Sequence, residues 1–155
     1  ITTTVRNGLR ELLETRYTVL TNVRNQFHST DTSVFNADNV QTSRHLTEWA
    51  RLHVERWSFD QQDEVIRHEI ESLQRDDKGR IVSSTTDIFG AGRERTGARD
   101  RRMNYDGPNG NLSLSVTTWY DGHEQALQRE TVRHLHERGT ITRRVRWERW
   151  VDSTP

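Results

Sequence analysis

The chain of 155 residues contains no cysteine. Disulfides, thiolate metal sites and cysteine nucleophiles are therefore excluded within it. Lysine is almost absent as well. Of 23 basic residues only Lys78 is a lysine, which leaves 23 − 1 = 22 arginines. A G+C-rich coding sequence accounts for such a bias, and forked hydrogen bonding by guanidinium groups is the functional alternative. Net charge is absent too, because 23 acidic residues balance the 23 basic ones. A zero balance argues against the overall field of a general nucleic-acid binder. No apolar run approaches the roughly 20 residues that a membrane helix needs, so a soluble chain with no membrane span is expected. No secretory signal opens the chain. It begins at Ile1 rather than methionine, which suggests a processed or trimmed piece, so the missing leader says little about export.

What is present is enough for about one domain. Hydrophobic residues make up 30%, so a thin core is expected, with helices on one face of a sheet and water on the other. Val5, Leu9, Leu12, Leu13, Leu20, Val23 and Phe27 recur at steps of three and four. That spacing predicts an amphipathic helix over 5–27. Residues 28–40 read as a loop. Leu46, Trp49, Leu52, His53 and Trp57 predict a second helix over 42–57, with Ser43 as its cap. Beyond Asp63 the period shortens. Strands are expected over 64–75 and 80–89, joined at Asp76-Asp77-Lys78-Gly79. Residues 90–110 carry Gly90, Gly92, Gly97, Gly107, Pro108 and Gly110 among Arg93, Arg95, Arg99, Arg101 and Arg102, and read as a long irregular loop. Alternation then predicts a strand over 111–120 and a closing hairpin, 124–136 and 140–151, turning at Glu137-Arg138-Gly139. No internal repeat is evident. The expected fold is a single α+β domain over 1–155, with N-terminal helices packed on a curved antiparallel sheet.

That order of elements resembles the nuclear-transport-factor-two-like fold, also called cystatin-like or SnoaL-like. Glu11-Leu12-Leu13-Glu14-Thr15-Arg16-Tyr17, Glu48-Trp49-Ala50 and the closing Arg146-Trp147-Glu148-Arg149-Trp150-Val151-Asp152 with Pro155 resemble, more narrowly, the N-terminal domain of exported bacterial proteins of the putative amidase-domain family. The resemblance implies an accessory domain from a larger exported or cell-surface protein. The hydrolase module would lie downstream, with a cysteine nucleophile that these residues lack.

The leading functional expectation is a non-catalytic accessory, binding or scaffolding domain without a cofactor. Its partner would be a protein module or an anionic polymer, with nucleic acid unlikely. Trp150 beside Arg144 and Arg146 suits stacking on a sugar, a base or a peptide side chain. Arg93, Arg95 and Arg99 suit an anionic patch. The alternative is a small enzyme of the same fold. There His53, His68 or His134 would act as a general base with Glu130 or Asp87 as its carboxylate. His68, His134 and His136 form a weaker candidate metal set. A third alternative is self-association through the Arg/Gly-rich stretch 90–110.

Overall fold

The computed structural model describes residues 1–6, 9, 11–23, 26–106, 110–137 and 140–150. They contain eleven strands and no helix: β1 Thr2–Arg6, β2 Leu12–Val23, β3 Gln26–Asn36, β4 Gln41–Ala50, β5 His53–Phe59, β6 Val65–Arg75, β7 Ile81–Gly90, β8 Arg95–Asp106, β9 Asn111–Asp121, β10 Ala126–Glu137 and β11 Thr140–Arg149. The strands hydrogen-bond in sequence order as one antiparallel sheet. By contacts the chain divides into two units, residues 1–70 with 89–94, and residues 71–88 with 95 onward. Arg138 and Gly139 of the expected last turn, Gly107 and Pro108, and the segment from Val151 to Pro155 lie outside the described residues.

The expected α+β class is thus corrected to all-β, and with it the cystatin-like resemblance. The helix expected over 5–27 is occupied by β1, β2 and the start of β3. Its centre favours strand, because Thr15, Tyr17, Thr18, Val19 and Thr21 are β-branched or aromatic. The helix expected over 42–57 is a hairpin folded at Arg51-Leu52. Leu46 lies opposite Trp57 and Trp49 opposite Val54. Their spacing imitated a helical stripe because a hairpin brings residues of two strands back onto common faces. The irregular loop expected over 90–110 is a tight turn followed by β8.

One kind of turn recurs along the chain. In the connections that open at Asn36, Asp60, Asp76, Gly90 and Asp121, the first residue's N–H donates to the carbonyl four positions on. The fourth residue's N–H donates back to the first residue's carbonyl. The fourth residue is left-handed in each: Asn39, Asp63, Gly79, Arg93 and Glu124 have φ between 60° and 78°. Asn36, Asp60, Asp76 and Asp121 add a side-chain oxygen that accepts from two backbone N–H groups at 2.8–3.0 Å. An Asx side chain of this kind stands in for a backbone turn. For Asp121 these N–H groups, Gln125's first, hold the carboxyl below its ordinary range despite some desolvation. An aromatic residue precedes the turn in every second connection: Phe35-Asn36, Phe59-Asp60, Phe89-Gly90 and Tyr120-Asp121. The chain is therefore a repeat of hairpins.

Buried side chains are few and small. Val34, Val54, Ala98 and Met103 are the buried apolar residues, and Ser84, Thr86, Ser115, Thr117 and Thr118 are buried with hydroxyls. Two of those threonines lie beneath arginines of other strands, Thr86 under Arg99 at 3.3 Å and Thr118 under Arg129 at 3.4 Å. In both, a guanidinium N–H donates to a buried hydroxyl, which supplies that hydroxyl with a hydrogen-bond partner.

Asn36→Ala removes the acceptor for Asp38 and Val40 N–H. It is expected to lower stability by about 1–2 kcal/mol in denaturant unfolding, whereas Asn36→Asp holds the turn.

Candidate functional site

Two arginines pin a hairpin to the turn of the next one in the same way. Arg44, on β4, grips Asp31 of β3 with Nε at 2.9 Å and Nη2 at 2.6 Å. Its Nη1 reaches Asp63, the left-handed residue of the following aromatic-led turn, at 3.1 Å. The Asp31 hydrogen bond above all, and then Asp63, raise the guanidinium's pKa against the opposing effect of burial. Arg44 also covers the Phe59 ring at 5.1 Å. Arg95, on β8, repeats the arrangement with Asp87 of β7 at 2.8 Å and Glu124, again the left-handed turn residue, at 3.1 Å. An acid stands at a position that favours glycine because an arginine is aimed at it.

The turn between β7 and β8 breaks this series. Its left-handed residue is Arg93, with φ 64°, so the charge is reversed. The arginine near the start of β6, Arg67, turns to Glu69 on its own strand at 2.7 Å instead. Neither Arg93 nor Glu64 makes an ion pair among the described residues, and both line an open pocket of about 780 Å³. Trp57, His68 and Phe89 form its aromatic wall, and Glu55, Val65 and Ile70 complete much of the lining. Trp57 and His68 stack at 4.9 Å and 8° between planes, and Phe89 lies 6.0 Å from the histidine ring.

Glu55 is the polar centre of this site. One carboxylate oxygen meets His53 Nε2 at 2.8 Å and the other meets His68 Nε2 at 3.0 Å. The His53 hydrogen bond, followed by that from His68, holds the Glu55 carboxyl below its ordinary range although burial acts the other way. An ionised Glu55 fixes the tilt of His68 against Trp57. All of these residues belong to the first unit.

The residues singled out from the sequence are distributed as follows. His53 and His68 meet on Glu55, and Arg93 lines the same pocket. Arg95 and Asp87 belong to the second clamp and Arg99 to the cover over Thr86. Glu130 sits opposite Thr117 and Trp147. His134 faces Arg143 across the β10–β11 pair. Desolvation first, then Arg143, His136 and Arg101, lower its pKa. His136 donates to the Leu112 carbonyl at 2.8 Å. Arg146 pairs with Glu148 at 3.0 Å, and Arg129 covers the Trp150 ring at 5.3 Å. Among the described residues no three His, Asp or Glu side chains are grouped to hold a metal ion. No helix among them is long and apolar enough to cross a membrane. Sequence reasoning missed Glu55, Glu64 and Phe89. The repeated aromatic-Asx pair was the available signal, since the member with glycine in place of Asx, Phe89-Gly90, marks the exceptional turn.

No protein-family model matches the chain, and no curated protein matches it. It is similar to a solved protein of unknown function from Bacteroides fragilis. That likeness has 7% identity and a TM-score of 0.34, and covers 87% of this chain and 91% of the other.

Glu55 gives the site a pH signature. Its folded pKa is lowered from 4.5, so its ionised form contributes stability above about pH 4.5, and that contribution is lost as pH falls through the lowered value. Glu55→Gln is therefore expected to melt below the wild type near neutral pH, with the gap closing as pH falls below about 4.5. Thermal melts across that range measure it.

Proposed function

We propose that the chain is a non-catalytic binding domain whose repeated hairpins form a scaffold and whose pocket at Arg93 takes the ligand. The observation that carries this reading is the pair of charges without an ion-pair partner among the described residues, Arg93 and Glu64, set on an aromatic pocket where the left-handed turn residue is a cation instead of the acid found at Asp63 and Glu124. A guanidinium left free offers a fork for a carboxylate or another planar anion. Glu55 and Glu64 offer acceptors for hydroxyl groups. Trp57, His68 and Phe89 offer ring faces and edges for an apolar ring surface. Together they fit an acidic sugar residue, which presents a carboxylate, several hydroxyls and a flat C–H face.

The histidines on Glu55 favour a second reading, in which His68, oriented by an ionised carboxylate, serves as a general base toward a ligand in the same pocket. Its mark would be turnover that His68→Ala abolishes while binding persists.

Titration of tryptophan fluorescence with oligogalacturonate, and with a neutral oligosaccharide of equal length, tests the first reading. Saturable binding of the acidic sugar is expected, weakened about tenfold or more by Arg93→Ala, a loss of about 1.4 kcal/mol. Equal affinity for the neutral sugar, or for the Arg93→Ala protein, would defeat it.

A further inference from the structure

The second unit carries a face that the pocket does not explain. Register places four strands side by side there. Asp100, Thr118, Arg129 and Glu148 form one row across β8, β9, β10 and β11. The next row on the same face is Arg102, Val116, Thr131 and Arg146, and the next is Asn104, Leu114, Arg133 and Arg144. The acids of this grid, Asp100 and Glu148, both lie in the first row. The other two rows hold four arginines and no carboxylate. Arg102, Arg133 and Arg144 are exposed and make no ion pair among the described residues. Arg146 reaches sideways to Glu148 and keeps 77% of its side chain exposed.

Arg133 and Arg144 lie directly opposite each other. Like charges at opposed positions destabilise an antiparallel pair. Nothing in the folding of this hairpin requires that pairing, since the register is set by the ladder as a whole. Four cations are gathered here against their own repulsion, and three of them, Arg102, Arg133 and Arg144, have no carboxylate partner among the described residues; such a cluster attracts a polyanion. Across the strands the row from Arg102 to Arg146 spans about 14 Å, three inter-strand spacings.

We infer that this face of β8–β11 binds a linear anionic polysaccharide. The charge pattern requires a polyanion, and the side chains between the arginines select its kind. Val116, Leu114, Thr131 and Asn104 supply small apolar and hydroxyl surface. They supply no aromatic platform on which bases could stack, as single-stranded nucleic acids require. The aromatics that flank these rows are already covered, Tyr105 by Arg80 and Trp150 by Arg129. The arginines lie across four strands, a face broader than the helix or two-stranded ribbon that a duplex groove admits. This site lies wholly in the second unit and stands independently of the pocket.

The test is fluorescence anisotropy of labelled oligosaccharides at several salt concentrations. A heparin oligosaccharide serves as the sulfate-bearing probe and oligogalacturonate as the carboxylate-bearing one, with a thymidine oligonucleotide of matched length as competitor, and every variant carries Arg93→Ala as well so that the pocket does not contribute. The glycan that binds should lose about tenfold or more in affinity in the Arg133→Ala/Arg144→Ala protein, with a shallower salt dependence. The Arg16→Ala/Arg75→Ala protein should bind as the Arg93→Ala parent does. Removing the opposed arginines relieves repulsion, so the double variant should melt at or above the temperature of that parent, which separates loss of binding from loss of fold. Which glycan binds identifies the anionic group. Failure of both glycans to bind, equal weakening by the two double variants, or tighter binding of the oligonucleotide would each overturn the inference.

Discussion

With no helix among the described residues to lie on, the sheet must find its cohesion among its own strands. Among the described residues the buried apolar side chains are Val34, Val54, Ala98 and Met103, too few to hold the sheet by burial alone. The remaining cohesion is lateral. Backbone ladders supply most of it, and side chains reaching from strand to strand supply the rest. Arginine suits that task better than lysine. Its fork binds two partners at once, as Arg44 and Arg95 do, and its N–H groups reach a buried threonine hydroxyl on the next strand, as those of Arg99 and Arg129 do. The near-absence of lysine, open to a coding-bias explanation, has this structural counterpart.

The same constraint explains what could be read from the sequence and what could not. Strands β6, β7, β9, β10 and β11 lie over stretches where β-branched residues alternate between definite turns. Over residues 5–57 the alternation is hidden. Strands of a sheet without a helical layer need not keep one apolar face, so Leu20 and Val19 project to opposite sides and both stay exposed. What survives is a coincidence of apolar steps at three and four, which reads as helix. The glycines and Pro108 of 90–110 suggest a loop, whereas Arg95 and Arg99 tie β8 to its neighbours. The repeat escaped notice because its invariant is backbone geometry. Asn36, Asp60, Gly90 and Asp121 are different residues that make one turn.

The site was legible in pieces. His53, His68 and Arg93 were chosen from the sequence for separate reasons, two as titratable groups and one as a cation in a glycine-rich stretch. Their convergence depends on β5, β6 and the β7–β8 turn lying together in the first unit, which no local pattern announces. Glu55 sits in a strand misread as helix, where its relation to His53, two residues away on one face, was invisible. In a helix residues two apart point apart, and in a strand they share a face.

Arg93 is where structure and function part company. A side chain held at φ 64° carries a backbone cost of roughly 1–2 kcal/mol relative to glycine. Asp63 and Glu124 accept the same conformation and recover some of that cost from the arginines that reach them. Exposed pairs return only ~0–1 kcal/mol, so even there the balance is close. Arg93 recovers nothing of this kind, since its guanidinium makes no ion pair among the described residues. Glycine at this position, as at Gly79, would relieve the backbone and remove a free charge from an aromatic pocket. Arg93 is thus a residue that is locally unfavourable, opposite in charge to Asp63 and Glu124, and placed on the lining of a cavity, which is the ground on which we propose a ligand there. The opposed Arg133 and Arg144 obey the same reasoning in the second unit. Both positions carry charge that no carboxylate among the described residues answers, at a local conformational or electrostatic cost.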